Sequence, residues 1–144
     1  FYNLYKAGES HEILSAYLNL IIIKTISLEG GEAQIDDFLL ADFYTFKKLI
    51  DEHFLELRKV SDYADLMKIS THRLNNICQS VMQSSAQNII KERIIIEAKN
   101  LISHTSLTIS EIAYQLDFSD ASNFNKFFKS LTAMTPLAYR AASL

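Results

Sequence analysis

Three glycines and one proline in 144 residues leave little material for tight turns, and no low-complexity tract occurs. Such a chain suits an all-helical protein, and no segment alternates apolar and polar residues convincingly enough for a strand. The single cysteine, Cys78, excludes an internal disulfide and fits a reducing, cytoplasmic setting. The longest purely apolar run, Leu20 to Ile23, is far too short to span a membrane, and nothing reads as a signal peptide. There is no glycine-rich phosphate loop and nothing like a Ser/His/Asp set. His11, His53, His72 and His104 share no metal-ligand spacing, so no metal, no cofactor and no catalytic step is expected. Cys78 lies on an apolar helical stripe with no histidine near it, which makes it a small core residue rather than a nucleophile.

What is present can build a core. At 49% apolar the chain is one domain, or one domain with an appendage. It opens at Phe1 rather than at Met and is read as a piece of something longer. The net charge of −3 speaks against a nucleic-acid partner until its distribution is considered. Residues 1–60 hold ten acids against six bases, whereas residues 61–144 hold seven against eight. No acid occurs from Leu66 to Lys91, nor from Ala121 to Leu144. Those stretches carry Lys68, Arg73 and Lys91, and Lys126, Lys129 and Arg140.

One pattern occurs twice. Val60-Ser61-Asp62-Tyr63-Ala64-Asp65-Leu66-Met67-Lys68-Ile69-Ser70 returns as Ile109-Ser110-Glu111-Ile112-Ala113-Tyr114-Gln115-Leu116-Asp117-Phe118-Ser119. Each copy has an apolar residue, a serine able to cap a helix, an acid in the first turn and an apolar-Ala step. A turn and a second helix opening at serine follow. A small alanine there lets a second helix cross very close, the packing demand of a helix-turn-helix.

Helical periodicity places the other elements. Leu14, Leu18, Ile21 and Leu28 form a seam over residues 11–28 that Gly30-Gly31 closes. With Leu20, Ile22 and Ile23 widening it, this helix either folds back on its own domain or serves dimerisation through Leu14, Leu18, Ile21, Ile22 and Leu28, or docking onto a missing partner domain. Asp36 or Asp37 can cap a helix whose face is Leu39, Phe43, Phe46, Ile50, Phe54 and Leu57. Helices then follow at about 62–68, 71–81, 86–102, 110–116 and 121–131, and Pro136 opens a last short one through Arg140. The long helix buries Ile89, Ile90, Ile94, Ala98, Leu101 and Ile102. At about 1.5 Å per residue it spans roughly 25 Å. With the flanking units this suits two reading helices about 34 Å apart, one turn of B-DNA. Arg93 on that helix is read as a structural ion pair in preference to a phosphate contact.

The fold expected is therefore all-α: a linker or dimerisation helix in residues 1–35, and a double helix-turn-helix domain in residues 36–144. Its homeodomain-like units fall at about 60–82 and 109–131, joined by the long helix. In the first reading helix Leu74, Ile77, Cys78 and Val81 point inward, leaving Thr71, His72, Asn75, Asn76 and Gln79 outward with Arg73 to the side. In the second, Phe124, Phe127, Phe128 and Leu131 point inward, leaving Ala121, Ser122, Asn125, Lys126 and Lys129 outward with Asn123 flanking. Asn and Gln can pair bidentately with adenine, Lys reaches guanine acceptors, and Ser or Thr can contact several bases. Arg73, Lys91, Asn123, Lys129 and Arg140 are the candidate phosphate contacts.

Residues 38–140 are similar to the AraC/XylS family of bacterial transcription regulators. The resemblance is densest at Ile109-Ser110-Glu111-Ile112-Ala113, Phe118-Ser119-Asp120, Asn123-Phe124, Phe127-Phe128-Lys129, Thr135-Pro136 and Tyr139-Arg140. Arg93-Ile94, Glu97-Ala98 and Leu101-Ile102 resemble that family's linking helix. The resemblance implies a seven-helix domain with two recognition helices in the major groove of double-stranded DNA. It makes His72, Asn75 and Asn76 the first base readers, with Thr71 and Gln79 nearby, and Ala121, Ser122, Asn125 and Lys126 the second set. It further implies a regulator that dimerises, with RNA polymerase as a candidate partner and any small-molecule effector bound by an absent N-terminal domain. Glycine is missing where the family favours it: Lys68 and Asp117 stand in the turns, and Gln83 and Ala133 after the reading helices. Two other readings stay open: a helical protein-interaction module that has lost DNA affinity, and a targeting domain of an enzyme whose catalytic part lies elsewhere.

Overall fold

The computed structural model describes residues 37–143. They form seven helices and no strand: α1 (Asp37–His53), α2 (Val60–Leu66), α3 (Thr71–Met82), α4 (Ala86–His104), α5 (Ile109–Gln115), α6 (Ala121–Thr132) and α7 (Pro136–Ala142). The expected helix over 11–28, with its dimerisation residues, lies outside the described residues. Among the described residues, no helix is long and apolar enough to cross a membrane.

A single buried cluster runs through both units. Leu74, Ile77 and Cys78 of α3 meet Phe43, Phe46 and Ile50 of α1, while Phe124 and Phe128 of α6 pack with Ile112, Ala113 and Leu116. The central α4 buries Ile89, Ile90, Ile94, Ile95, Ala98 and Ile102 and packs against α1, α3, α5, α6 and α7. Its 19 residues rise about 28 Å. Arg93 fixes α4 to α1: Nε donates to Asp51 at 2.7 Å, Nη1 to Glu97 at 3.0 Å, and the guanidinium lies 4.1 Å from the Phe54 ring centroid. That is the structural ion pair, reinforced by a cation–π contact.

The two repeats close in the same way. Ile69 N–H donates to Ala64 O (3.0 Å) and Lys68 N–H to Asp65 O (3.0 Å); in the second copy Phe118 N–H donates to Ala113 O (2.9 Å) and Asp117 N–H to Tyr114 O (3.0 Å). Each pair is a Schellman closure, which needs a left-handed residue just past the helix. Lys68 and Asp117 supply it, both at φ 55°. Gln83 (φ 51°) and Ala133 (φ 60°) are also left-handed after α3 and α6, where their N–H groups donate to Gln79 O and Lys129 O. Residues other than glycine thus hold the left-handed position in all four turns. Ala64 and Ala113 are both 1% exposed, so their methyls mark close helix crossings.

Several sequence expectations are corrected. Ser61 and Ser110 do not cap: α2 begins at Val60 after Lys59, and α5 begins after Thr108, which forms a full capping box with Glu111. Ser70 does cap α3, but Asp120 rather than Ser119 caps α6. The first helix stops at His53, short of Leu57. Leu131, expected inward, is 43% exposed because the last turn of α6 runs past the core that Phe124 and Phe128 fill.

Candidate nucleic-acid interface

The outer faces of α3 and α6 are built by what their inner faces bury. With Leu74, Ile77 and Cys78 inward, Thr71, His72, Arg73, Asn76 and Gln79 are exposed. With Phe124 and Phe128 inward, Ser122, Asn123, Asn125, Lys126 and Lys129 are exposed. Neither helix contains an acid, so both faces are neutral to positive on a chain of net charge −3. Burial pushes the Cys78 thiol up to about 11, as befits a core residue and not a nucleophile.

Side chains on these faces differ in how they are held. His72 and Asn76 are brought together: Asn76 Nδ2 lies 3.2 Å from His72 Nε2, one turn apart. Thr71, Gln79, Ser122, Asn125, Lys126 and Lys129 have no side-chain hydrogen bond or ion pair among the described residues. Asn75 is half-buried and committed to the protein, with Nδ2 donating to Thr71 O (3.0 Å) and Oδ1 accepting from Ala86 N–H (3.1 Å). It ties α3 to the first residue of α4. Ala121 is half-buried against the core.

The expected phosphate contacts divide likewise. Lys129 is exposed and Lys91 half-exposed. Arg73 reaches Asp42 of α1 (3.1 Å) and is partly neutralised there. Asn123 Nδ2 donates to Ser119 Oγ (2.8 Å) and Asp120 Oδ2 (2.9 Å), inside the network that starts α6. Arg140 is half-buried, its Nε donating to Ile102 O (3.0 Å), so it satisfies a carbonyl near the end of α4.

One residue with no role in the sequence reading stands between the units. Arg58, in the loop before α2, donates from Nη2 to Leu116 O and lies 4.5 Å from the Phe118 ring centroid. Burial lowers its pKa, against the opposing charge of Asp117. No pattern of residue types could have exposed this contact, because its acceptor is a backbone carbonyl.

Two close-crossed helix pairs, each with an acid-free polar face, held by one rod, define a double helix-turn-helix domain. The helix-turn-helix domain family matches residues 63–142, more than half of the chain, and the chain belongs to it, in its AraC-type branch of DNA-binding transcription regulators. The HTH-type transcriptional activator RhaS of Enterobacter sp. (strain 638) is 24% identical over 136 residues, covering 92% of this chain and 48% of that protein. The chain thus spans about half the length of this curated relative. An AraC-type transcriptional regulator of Chromobacterium violaceum shares the fold with a TM-score of 0.66 at 18% identity, covering 75% of this chain and 96% of that one. The DNA-binding domain of the global transcriptional factor AdpA, solved with a target DNA, shares it with a TM-score of 0.61 at 20% identity, covering 70% and 90%.

Proposed function

We propose that this domain reads a specific double-stranded DNA site through two successive major grooves, α3 entering one and α6 the next, and so controls transcription. The observation that carries the reading is the pair of outer faces: polar, acid-free and repeated on two helices of one compact unit. His72, Asn76 and Gln79, with Thr71, are the base-reading set on α3; Ser122, Asn125 and Lys126 are that on α6. Lys129 and Lys91 are the best-placed phosphate contacts, and Arg73 serves once Asp42 releases it. Asn75, Ala121 and Arg140 are half-buried and serve the contact set less well, whereas Asn123, exposed but bonded within the start of α6, stays a flanking phosphate contact.

No catalytic step is assigned to the domain. Its regulatory partners, RNA polymerase and a small-molecule effector, belong to the same proposal, by analogy with relatives named as transcriptional activators. Homodimerisation through Leu14, Leu18, Ile21, Ile22 and Leu28 is supported by their apolar spacing. The chain should dimerise with concentration, and Leu18→Asp should weaken it; a monomer at high micromolar concentration contradicts the pairing.

The direct test is selection from a random DNA pool followed by footprinting. Protection should cover two adjacent major grooves on one face of the duplex. Failure to enrich any site, together with no gel shift at low salt, moves the reading to a protein-interaction module.

A further inference from the structure

Arg58 belongs to neither repeat, yet three parts of the molecule hold it. Its backbone carbonyl accepts from Gln87 Nε2 of α4 at 3.2 Å. The preceding carbonyl, Leu57 O, accepts from the Tyr63 hydroxyl of α2 at 2.9 Å. Its guanidinium crosses to the second unit, where Nη2 meets Leu116 O and the ring of Phe118 lies 4.5 Å away. Leu116 is the C-cap of α5, so its carbonyl has no helical partner and is free to accept. Phe118 in turn meets Phe124 of α6 edge to face and Phe127 at a tilt, with centroids 5.3 and 5.2 Å apart. A planar fork can donate at its edge while its face lies on a ring, in one fixed geometry that the rotatable point charge of an ammonium does not impose. The contact joins the units directly, without passing through α4, and its far end, Phe118, lies three residues before the start of α6.

We propose that Arg58 is a positioning residue that fixes the separation and relative rotation of α3 and α6, and thereby sets the spacing between the two DNA segments they read. This rests on the DNA reading above. Two reading helices on one body act as a bivalent binder, whose gain depends on how narrowly their geometry is held about the spacing of the site. Loosening the clamp lowers the gain on the right spacing and raises it on a wrong one.

The test uses Arg58→Met, which keeps an unbranched stem in the same place and removes the fork. Three synthetic duplexes serve as probes: the site selected from the random pool, the same site with one base pair inserted between its halves, and one half alone. The variant should bind the full site about tenfold more weakly and the half site as the parent does. The parent's loss on the inserted site should shrink several-fold. Equal losses on full and half sites with an unchanged insertion penalty overturn the proposal, as does no loss at all. If the Met variant does not fold, Arg58→Lys, which keeps the charge but not the rigid fork, must show the same relaxed spacing. A readout without DNA separates this proposal from the one it rests on. Spin labels at Ser80→Cys and Ser130→Cys, in a Cys78→Ser background, should give a narrow distance distribution that Arg58→Met broadens. An unchanged width overturns the clamp. A parent that binds none of the duplexes overturns the DNA reading and leaves the distance measurement to decide the clamp.

Discussion

Lys68, Gln83, Asp117 and Ala133 carry backbone conformations that glycine adopts at no steric cost, and each lies at φ between 51° and 60°. A non-glycine L-residue there costs about 1–2 kcal/mol. Lys68→Gly relieves about that strain but adds up to about 1 kcal/mol of unfolded-state entropy to be lost. Its unfolding free energy, by denaturant titration, should therefore stay within about 1 kcal/mol of the parent. Lys68→Val should cost at least about 1 kcal/mol, because a β-branched residue is an outlier at positive φ. A valine tolerated without loss contradicts the left-handed turn. Glu111 makes a second prediction. Its hydrogen bond to the Thr108 amide, and then that to the Thr108 hydroxyl, lower its pKa below the usual carboxylate value. A depressed folded pKa means stability that is present above the unfolded value of about 4.3 and lost as pH falls through the folded one. The melting temperature of the parent should exceed that of Glu111→Ala at neutral pH, and the gap should shrink as the pH falls below the unfolded value of about 4.3 and close below the folded one. A constant gap contradicts an ionised capping box.

Helices and turns were legible where a local rule governs them. The repeat could be read because its Ala, its left-handed turn and its apolar positions answer one packing demand, met twice. Helix caps were less legible: Ser110 and Thr108 both offer a hydroxyl, and only the box with Glu111 decides between them. The end of α1 was not legible, since Phe54 and Leu57 continue the apolar pattern beyond the last helical residue. Asn75 looked like a base reader because its periodicity puts it outward; the Ala86 amide that holds it comes from the next element. Arg58 was invisible for a stronger reason, as its partners lie in the other unit and one of them is a carbonyl. The close crossings make their own prediction. Ala113 is 1% exposed where α5 and α6 pack, so Ala113→Leu should overpack and cost about 1–3 kcal/mol or more. Denaturant unfolding checks this, and a cost under about 0.5 kcal/mol contradicts a tight crossing.

Across the whole molecule, a net acidic chain presents two reading faces without a single acid. Phosphate attraction is then local and modest, so random DNA should bind poorly at physiological salt and base contacts must supply much of the selectivity. Asn76 and Asn125 sit on separate reading helices, both exposed, with short amides suited to base edges. Lys129 is exposed beside the second face and suits a phosphate. The measurement that decides the account is the affinity of Asn76→Ala, Asn125→Ala and Lys129→Ala for the selected site and for random DNA, over a range of salt. Each asparagine change should cost about 1–3 kcal/mol on the selected site and little on random DNA. Lys129→Ala should weaken both about equally and lower the salt slope by about one unit. If both asparagine changes leave affinity for the selected site untouched, α3 and α6 are not the reading helices and the central claim fails.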